Sequence, residues 1–323
     1  MRMETKTGTC PVCTHETTLA LRERFHAYTL WECRACAVQF WDPFRNPGAD
    51  WYKNDERYHT RHTASADTNP LVSLGVNHQE FFRDVPVPNG RLLDIGTGTG
   101  HFLAYARRRG YEIYGLDFDE KVIDAAKDLF SITTLYALSL EEFMERFPGL
   151  VFDVATFFEV LEHLDNPAGF LGNVKRLLRS RGYIALSVPY RGAWEGFKEH
   201  DKPPRHLTRW DEDSLRGLLD RNGFDVVSLR RIPAPFERFL MKFHFWFKGF
   251  LSFGLVEKVA MRAPRHEAPE GRRLVRARIS IIRFLAKAKT YLLFGIPAGI
   301  LYAALALTKK RYTGMYCLAR ARG

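Results

Sequence analysis

The chain has few cysteines, and their spacing restricts what they can do. Five cysteines in 323 residues are too few for a disulfide-stapled scaffold. Four of them form two Cys-x-x-Cys pairs, Cys10 with Cys13 and Cys33 with Cys36, separated by nineteen residues. Two such pairs can grip one tetrahedral metal ion, whereas a redox pair normally stands alone before a helix. The spacing predicts a structural zinc site, with iron or redox chemistry as the alternatives.

The chain also lacks a long uncharged apolar run. Residues 1–9 are polar and have no apolar core of the kind found in signal peptides, so we expect the catalytic part to be cytoplasmic. The uncharged stretch 291–307 is the minimum length for a membrane span, and it contains Pro297 between two glycines. A straight spanning helix is therefore not favoured there.

Acidic residues are scarce near the C-terminus. Residues 232–323 carry 18 Lys and Arg against four Glu, whereas the rest of the chain is slightly acidic. The basic residues alternate with two apolar segments, 236–256 and 291–307. This mixture predicts that residues 234–311 lie at an anionic membrane surface, apolar side down. A true span and a soluble lid or dimer face are the alternatives.

The segment from Leu92 to Gly100 is the most informative motif. An apolar strand ends at Asp94 and is followed by three alternate glycines, Gly96, Gly98 and Gly100. Glycines let backbone amides approach a ligand closely. The dinucleotide pattern G-x-G-x-x-G would need its third glycine at position 101, where His101 stands. The loop therefore predicts an adenosyl ligand that is not a dinucleotide.

Strand and helix patterns alternate after this loop, which predicts an α/β fold with a doubly wound sheet. Asp117 ends the second predicted strand, where a carboxylate can accept both hydroxyls of a ribose, and Phe118 can pack on adenine. The alternating residues 314–321 predict a seventh strand, antiparallel beside the sixth. The expected organisation is a zinc ribbon (1–42), a wrapping linker (43–85), an α/β core (86–233 with 312–323) and a helical apolar insertion (234–311).

Four motifs together carry a resemblance to a known family: D-I-G-T-G-T-G, G-L-D-F-D, F-F-E-V-L-E-H-L-D-N-P and N-G-F. Their order, over about residues 91–231, resembles the UbiG-like branch (methyltransferase type 11 or 23) of the class I S-adenosylmethionine (SAM) methyltransferases. The resemblance implies a Rossmann-like seven-stranded sheet. It also implies a SAM site in which Asp94, Gly96, Gly98 and Gly100 contact the methionine part, Asp117 binds the ribose, Leu138 and Ser139 flank adenine, and Glu159 lines the cleft.

Two histidines are candidates for the base that an oxygen acceptor needs. His206 lies in an irregular loop after the fifth predicted strand, and in similar enzymes this loop shapes the acceptor pocket. His163 follows the fourth strand, where it could instead simply pack or cap. An Asn-Pro-Pro-aromatic run, which often binds the planar nitrogen of a base, is missing there, so a nucleic-acid acceptor is disfavoured.

The front of the chain also resembles bacterial relatives tied to surface-sugar pathways, which carry a Cys-x-x-Cys pair before the same core. We therefore expect a SAM-dependent methyltransferase at the inner membrane that methylates an oxygen of a lipid-linked or cell-surface glycan precursor. A methyltransferase of a quinone or lipid phenol is the alternative enzyme. A SAM-binding scaffold protein without catalysis is the alternative from a different class.

Overall fold

The computed structural model describes residues 4–54, 74–193, 201–251, 291, 293–305, 307 and 311–323. The strands are β1 (Thr5–Thr9), β2 (Glu16–Phe25), β3 (Tyr28–Cys33), β4 (Gln39–Asp42), β5 (Gly90–Ile95), β6 (Tyr111–Asp117), β7 (Leu135–Ala137), β8 (Phe152–Phe158), β9 (Leu178–Pro189), β10 (Thr208–Arg209), β11 (Phe224–Pro233) and β12 (Tyr312–Ala321). The helices are α1 (Ala49–Lys53), α2 (Val76–Asp84), α3 (His101–Arg108), α4 (Glu120–Phe130), α5 (Leu140–Arg146), α6 (Pro167–Leu177), α7 (Glu212–Arg221) and α8 (Phe236–Leu251), and Leu161–His163 form a 3₁₀ turn.

The larger sheet has seven strands in the order β11-β12-β9-β8-β5-β6-β7. Strands β5 to β9 pair in parallel, and β12 returns antiparallel beside β9. The predicted Rossmann-like sheet with a late antiparallel strand is therefore confirmed. Because β5, β6 and β8 run in the same direction, the residues at their carboxyl ends lie along one edge of the sheet.

The central strands are apolar on both faces because helices cover both faces. Successive residues of a strand point to opposite sides, so Leu92 and Leu93 of β5 enter different cores. Leu92 packs in one cluster with Phe102 of α3, whereas Leu93 packs in the other with Phe157 of β8. All four of these side chains are 3% exposed or less. This two-sided burial fixes the strands that carry the site.

The N-terminal ribbon forms a second sheet, in the order β1-β2-β3-β4-β10. Its fifth strand, β10, comes from far along the chain and pairs antiparallel with β4. The sequence placed the end of the ribbon at residue 42 and did not predict this strand, since two residues have no periodicity to read. The ribbon and the large sheet belong to one compact unit, residues 1–232 with 312–323.

The described residues of the linker predicted at 43–85 include two short helices. The second, α2, begins at Val76 after Gly75 and ends at Asp84. Phe81 of α2 is fully buried, so this helix is docked on the core. Residues 55–73 lie outside the described part of the chain.

Residues 233–311 form a unit of their own. Within it, Tyr302 lies 5.4 Å from Phe236 and 5.3 Å from Phe239 between ring centroids, and its hydroxyl donates to the carbonyl of Ala234. Much of the predicted insertion, residues 252–290, lies outside the described part. None of the described helices combines the length and apolarity that crossing a membrane requires.

A single methyl group tests how tightly the glycine loop is packed. Gly100 has φ +74°, and a Cβ there would lie 3.1 Å from the Cβ of Ala126. Gly100→Ala should lower the free energy of unfolding by about 1–2 kcal/mol for the left-handed backbone alone, and by more because of the crowding. Gly149→Ala is the matched control, since Gly149 has φ +80° and a Cβ added there would meet no atom within 4 Å. If urea denaturation shows the same loss of unfolding free energy in Gly100→Ala and Gly149→Ala, crowding at Gly100 is contradicted.

Candidate active site

Asp94 is the penultimate residue of strand β5 and is 3% exposed. Its Oδ1 accepts a hydrogen bond of 2.6 Å from Oγ1 of Thr156, on the neighbouring strand β8. Burial raises the pKa of Asp94 to about 7, although the bond from Thr156 opposes that shift. A buried carboxylate in this state would be stabilised by a cationic partner, such as an ammonium group.

Asp117 ends strand β6 and holds the glycine loop. Its two carboxylate oxygens accept hydrogen bonds from the amides of Gly98 (3.0 Å) and Asp119 (3.1 Å). Asp117 can reach the loop because Asp94 pairs in register with Gly115, so that β6 continues past the point where β5 turns.

The loop itself is pinned to the end of β6. The amides of Gly96 and Thr97 both donate to the carbonyl of Leu116, at 2.8 and 2.9 Å. A Cβ on Gly96 would lie 2.8 Å from Cγ2 of Val160, so only glycine fits at this position beside Val160. The predicted glycine residues therefore form a close-packed cradle beside two buried carboxylates, which fits a compact ligand with a positive charge and hydroxyl groups.

The residues predicted to flank adenine lie on neighbouring loops. Phe118 is half-buried and follows Asp117, and Leu138 and Ser139 follow β7. The hydroxyl of Ser139 accepts from the amide of Glu142, and the carboxylate of Glu142 accepts from the amide of Ser139. Ser139 is thus the N-cap of α5, a structural role that the sequence did not assign to it.

Glu159 follows strand β8 and is exposed, with a left-handed backbone at φ +56°. Its Oε1 accepts a 2.7 Å hydrogen bond from Oγ of Ser187, which is fully buried on β9. Left-handed residues other than glycine are uncommon and concentrate at functional sites. Glu159 therefore lies directly after the carboxyl end of β8, beside β9.

The structure brings the two candidate bases together. The rings of His163 and His206 lie 4.7 Å apart between centroids, edge to face. Nδ1 of His163 lies 2.8 Å from the carbonyl oxygen of Arg205. Because a carbonyl only accepts, Nδ1 carries the proton and Nε2 is left as an acceptor. Burial lowers the pKa of His163 to about 4, so the ring is neutral at pH 7.

Glu162 lies beside this histidine pair. It is 1% exposed, and within the described residues neither carboxylate oxygen has a hydrogen-bond partner. Its Oε1 is 4.0 Å from Nε2 of His163, and burial raises its pKa well above the ordinary range. One ligand atom from each of Glu162, His163 and His206 lies within 4.8 Å of the others. The group could share a proton or hold a divalent cation.

Two residues that the sequence did not single out as site residues also face this region. The hydroxyl of Tyr52, on α1, donates to the carbonyl of Arg205 (3.2 Å) and lies 3.2 Å from Nδ1 of His163. Its ring is 5.5 Å from that of Phe118, so Tyr52 connects the histidine pair with the end of β6. His78, on α2, packs against Phe158 at the end of β8. The aromatic residues around Tyr52 were the one sequence feature that could have indicated its place near the site.

The four cysteines of the ribbon converge as predicted. The sulfur atoms of Cys10 and Cys36 are 3.9 Å apart, and those of Cys13 and Cys33 are 3.7 Å apart. Four thiolates around zinc, at about 2.3 Å from the metal, are separated from one another by about 3.8 Å. A disulfide would need about 2.05 Å. The donor set and its spacing therefore fit a closed tetrahedral site, compatible with structural zinc.

Comparisons with known proteins agree with this architecture. Residues 74–229 match a family model described as a methyltransferase domain. The chain is 29% identical to a ubiquinone biosynthesis O-methyltransferase of Dechloromonas aromatica, over 46% of this chain and 61% of that protein. It is 32% identical to the protein of the same name from Ralstonia nicotianae, over 44% of this chain and 61% of that protein.

A solved SAM-dependent methyltransferase from Archaeoglobus fulgidus aligns with a TM-score of 0.46 and 17% identity, over 82% of this chain and 100% of that one. The chain spans about three fifths of the length of the two curated relatives. From the family match and the sheet order, we conclude that residues 74–229 form a methyltransferase domain.

Proposed function

We propose that the protein transfers the methyl group of SAM to an oxygen of its acceptor. The observation that carries this proposal is the buried carboxylate of Asp94 beside the glycine cradle. A raised pKa marks a site that favours a cation, and the ammonium of the methionine part supplies one. Asp117 lies at the adjacent strand end, where ribose hydroxyls can reach its carboxylate.

Methyl transfer requires alignment more than acid–base chemistry, because SAM supplies an electrophilic methyl group with a good leaving group. Phe118, Leu138, Ser139 and Glu159 line the cofactor side in this proposal. An oxygen acceptor also has to lose a proton. We assign His206 as the base that accepts it and His163 as its neighbour. The buried carboxyl of Glu162 supports the assignment, since a proton on the neighbouring imidazole would be stabilised by the ionised form of this carboxyl group.

The same three residues favour a second mechanism. One carboxylate oxygen and two imidazole nitrogens suit a divalent cation, which would lower the pKa of an acceptor hydroxyl bound to it. Transfer assays with and without added Mg²⁺ or Mn²⁺ separate the two mechanisms. A rate that is independent of the cation supports the histidine base, and a rate that depends on it supports the metal.

The proposed acceptor is a lipid-linked or cell-surface glycan precursor, by the resemblance of the ribbon-bearing front of the chain. A quinone or lipid phenol is the second candidate, and the names of the two curated relatives favour it. Both acceptors are membrane-bound or membrane-derived. We propose that the protein works at the cytoplasmic face of the inner membrane and holds one structural zinc ion on Cys10, Cys13, Cys33 and Cys36.

The second unit supports attachment to an anionic membrane surface. The described residues 293–305 of this unit are helical, and among them Ile296 and Ile300 are 77% and 68% exposed, while Leu293 on the same face is 59% exposed. The sequence 271–323 carries basic side chains and no Asp or Glu. An exposed apolar face with surrounding positive charge suits insertion at anionic headgroups.

The pH dependence of SAM binding tests the role of Asp94. Asp94 must be ionised to pair with an ammonium group, and its pKa in the free protein is about 7. The dissociation constant for SAM should therefore rise as the pH falls from 7.5 to 5.5, approaching about tenfold per unit below the pKa. In calorimetry, Asp94→Asn should bind SAM weakly, and its dissociation constant should not rise further as the pH falls. The exposed control Asp128→Asn should show the same pH-dependent rise as the unmodified protein. A flat profile in the unmodified protein would contradict the assignment.

Replacement of His206 tests the proposed base. His206→Gln should slow methyl transfer by at least tenfold, because general bases contribute about 10²–10⁴ in rate, and it should leave SAM affinity unchanged. The measurement is transfer of radiolabelled methyl from SAM to a membrane extract. The exposed His15 provides the control His15→Gln. A wild-type rate in His206→Gln would remove this residue from the mechanism.

Charge on the exposed helix face tests the membrane proposal. Ile296→Glu with Ile300→Glu should reduce co-sedimentation with vesicles of anionic lipid by about tenfold or more, since each buried isoleucine contributes about 1.5–3 kcal/mol. Val227→Glu is the control, because Val227 is 57% exposed but lies on β11 in the other unit. Equal loss in the two variants, or no binding to anionic vesicles by the unmodified protein, would overturn the proposal.

A further inference from the structure

The ribbon is built into the loop that carries His206. Strand β10 begins two residues after His206 and pairs with β4, with Thr208 opposite Phe40 and Arg209 opposite Gln39. The amide of Trp41 also donates to the carbonyl of Leu207 at 2.9 Å. The residues that directly follow His206 therefore form the fifth strand of the ribbon sheet.

A carboxylate of the ribbon also forms ion pairs with the loop that carries His206. Glu23, on β2, accepts from Nζ of Lys202 at 2.5 Å and from Nη1 of Arg209 at 2.8 Å. These two cations flank His206, four residues before it and three residues after it. Burial disfavours the ionised form of Glu23, yet the bonds from Lys202 and Arg209 hold its pKa below the usual range. The pairing is thus strong enough to offset the desolvation of the carboxylate.

Aromatic side chains of the ribbon also contact the two cations of this loop. The guanidinium of Arg209 lies 5.1 Å from the ring of Trp41, and Nζ of Lys202 lies 4.6 Å from the ring of Phe25. Arg209 is 7% exposed and Trp41 is fully buried. A cation held between a carboxylate and an aromatic ring in this way loses much of its freedom to move.

The metal site supports the strand that β10 joins. Cys36 is followed by Val38 and by β4, and the amide of Cys33 donates to the carbonyl of Val38 at 3.0 Å. The turn that leads into β4 therefore includes two of the four cysteines. On its other side the His206 loop meets the 3₁₀ turn, where the amide of Leu207 donates to the carbonyl of Glu162 at 2.7 Å.

We propose that the four-cysteine ribbon and Glu23 position the His206 loop against His163, so that loss of the ribbon metal or of the Glu23 charge impairs methyl transfer without weakening SAM binding. Glu23 is then a positioning residue that acts through Lys202 and Arg209. The effect on transfer rests on the proposed role of His206, whereas the effect on the loop does not.

Hydrogen–deuterium exchange on the full chain tests the loop directly. In Glu23→Gln, exchange of the segment 201–211 should become about tenfold faster, while the segment 90–100, with the glycine loop, keeps its protection. The matched control is Glu4→Gln, which breaks an exposed ion pair with Arg24 on the same sheet. Removing the metal with a chelator should produce a larger change in 201–211, and adding zinc should reverse it.

Two functional measurements accompany the exchange. Glu23→Gln should lower kcat for transfer to a membrane extract at least about fivefold, with the dissociation constant for SAM within about twofold of the unmodified protein. Unchanged exchange in 201–211, in Glu23→Gln and after metal removal, would overturn the proposal. So would equal loss of protection in 90–100, which would indicate general unfolding. If the unmodified protein binds SAM but transfers no methyl group, the proposed function fails, and the exchange data still decide whether the ribbon positions the loop.

Discussion

Two neighbouring parallel strands place the carboxylates of Asp94 and Asp117 in one buried corner of the sheet, and the rest of the site depends on this placement. The glycine loop has to turn between them, held by Asp117 through the amide of Gly98 and by the carbonyl of Leu116. Only a backbone without Cβ fits beside Val160. The burial that raises the pKa of Asp94 also makes the corner favourable for a cation, so packing and ligand choice have the same physical origin.

The proposed acceptor side is held together in a different way. Its histidines come from two segments far apart in the chain, the 3₁₀ turn after β8 and the loop before β10, and no single secondary structure element holds both. The loop is fixed by the ribbon sheet, by Glu23 and by the turn that contains Glu162. The proposed metal site at the front of the chain can thereby set the geometry of the loop that carries His206, the proposed base.

The sequence predicted those features of the fold and the site that depend on residues close together in the chain. Asp94, the three glycines, Asp117 and the two Cys-x-x-Cys pairs occur at fixed spacings. The alternation of strand and helix predicted the doubly wound sheet, and the family resemblance implied its seven strands. Pairing between strands that are far apart in the chain could not be predicted from the sequence. Strand β10 has two residues and is a strand only because β4 lies beside it, and the capping role of Ser139 competes with its predicted place beside adenine. Glu162 sits next to His163, which was singled out, but only the fold shows that it is buried.

The reaction proposed for this protein is methyl transfer from SAM to an oxygen acceptor associated with a membrane. The most direct measurement incubates the protein with methyl-labelled SAM and a membrane extract, then partitions the label into lipid, glycan and nucleic-acid fractions. We expect base-stable label in the lipid or lipid-linked glycan fraction, and we expect that label to disappear with Asp94→Asn. No label above that of the variant, or label that partitions with nucleic acid, would contradict it.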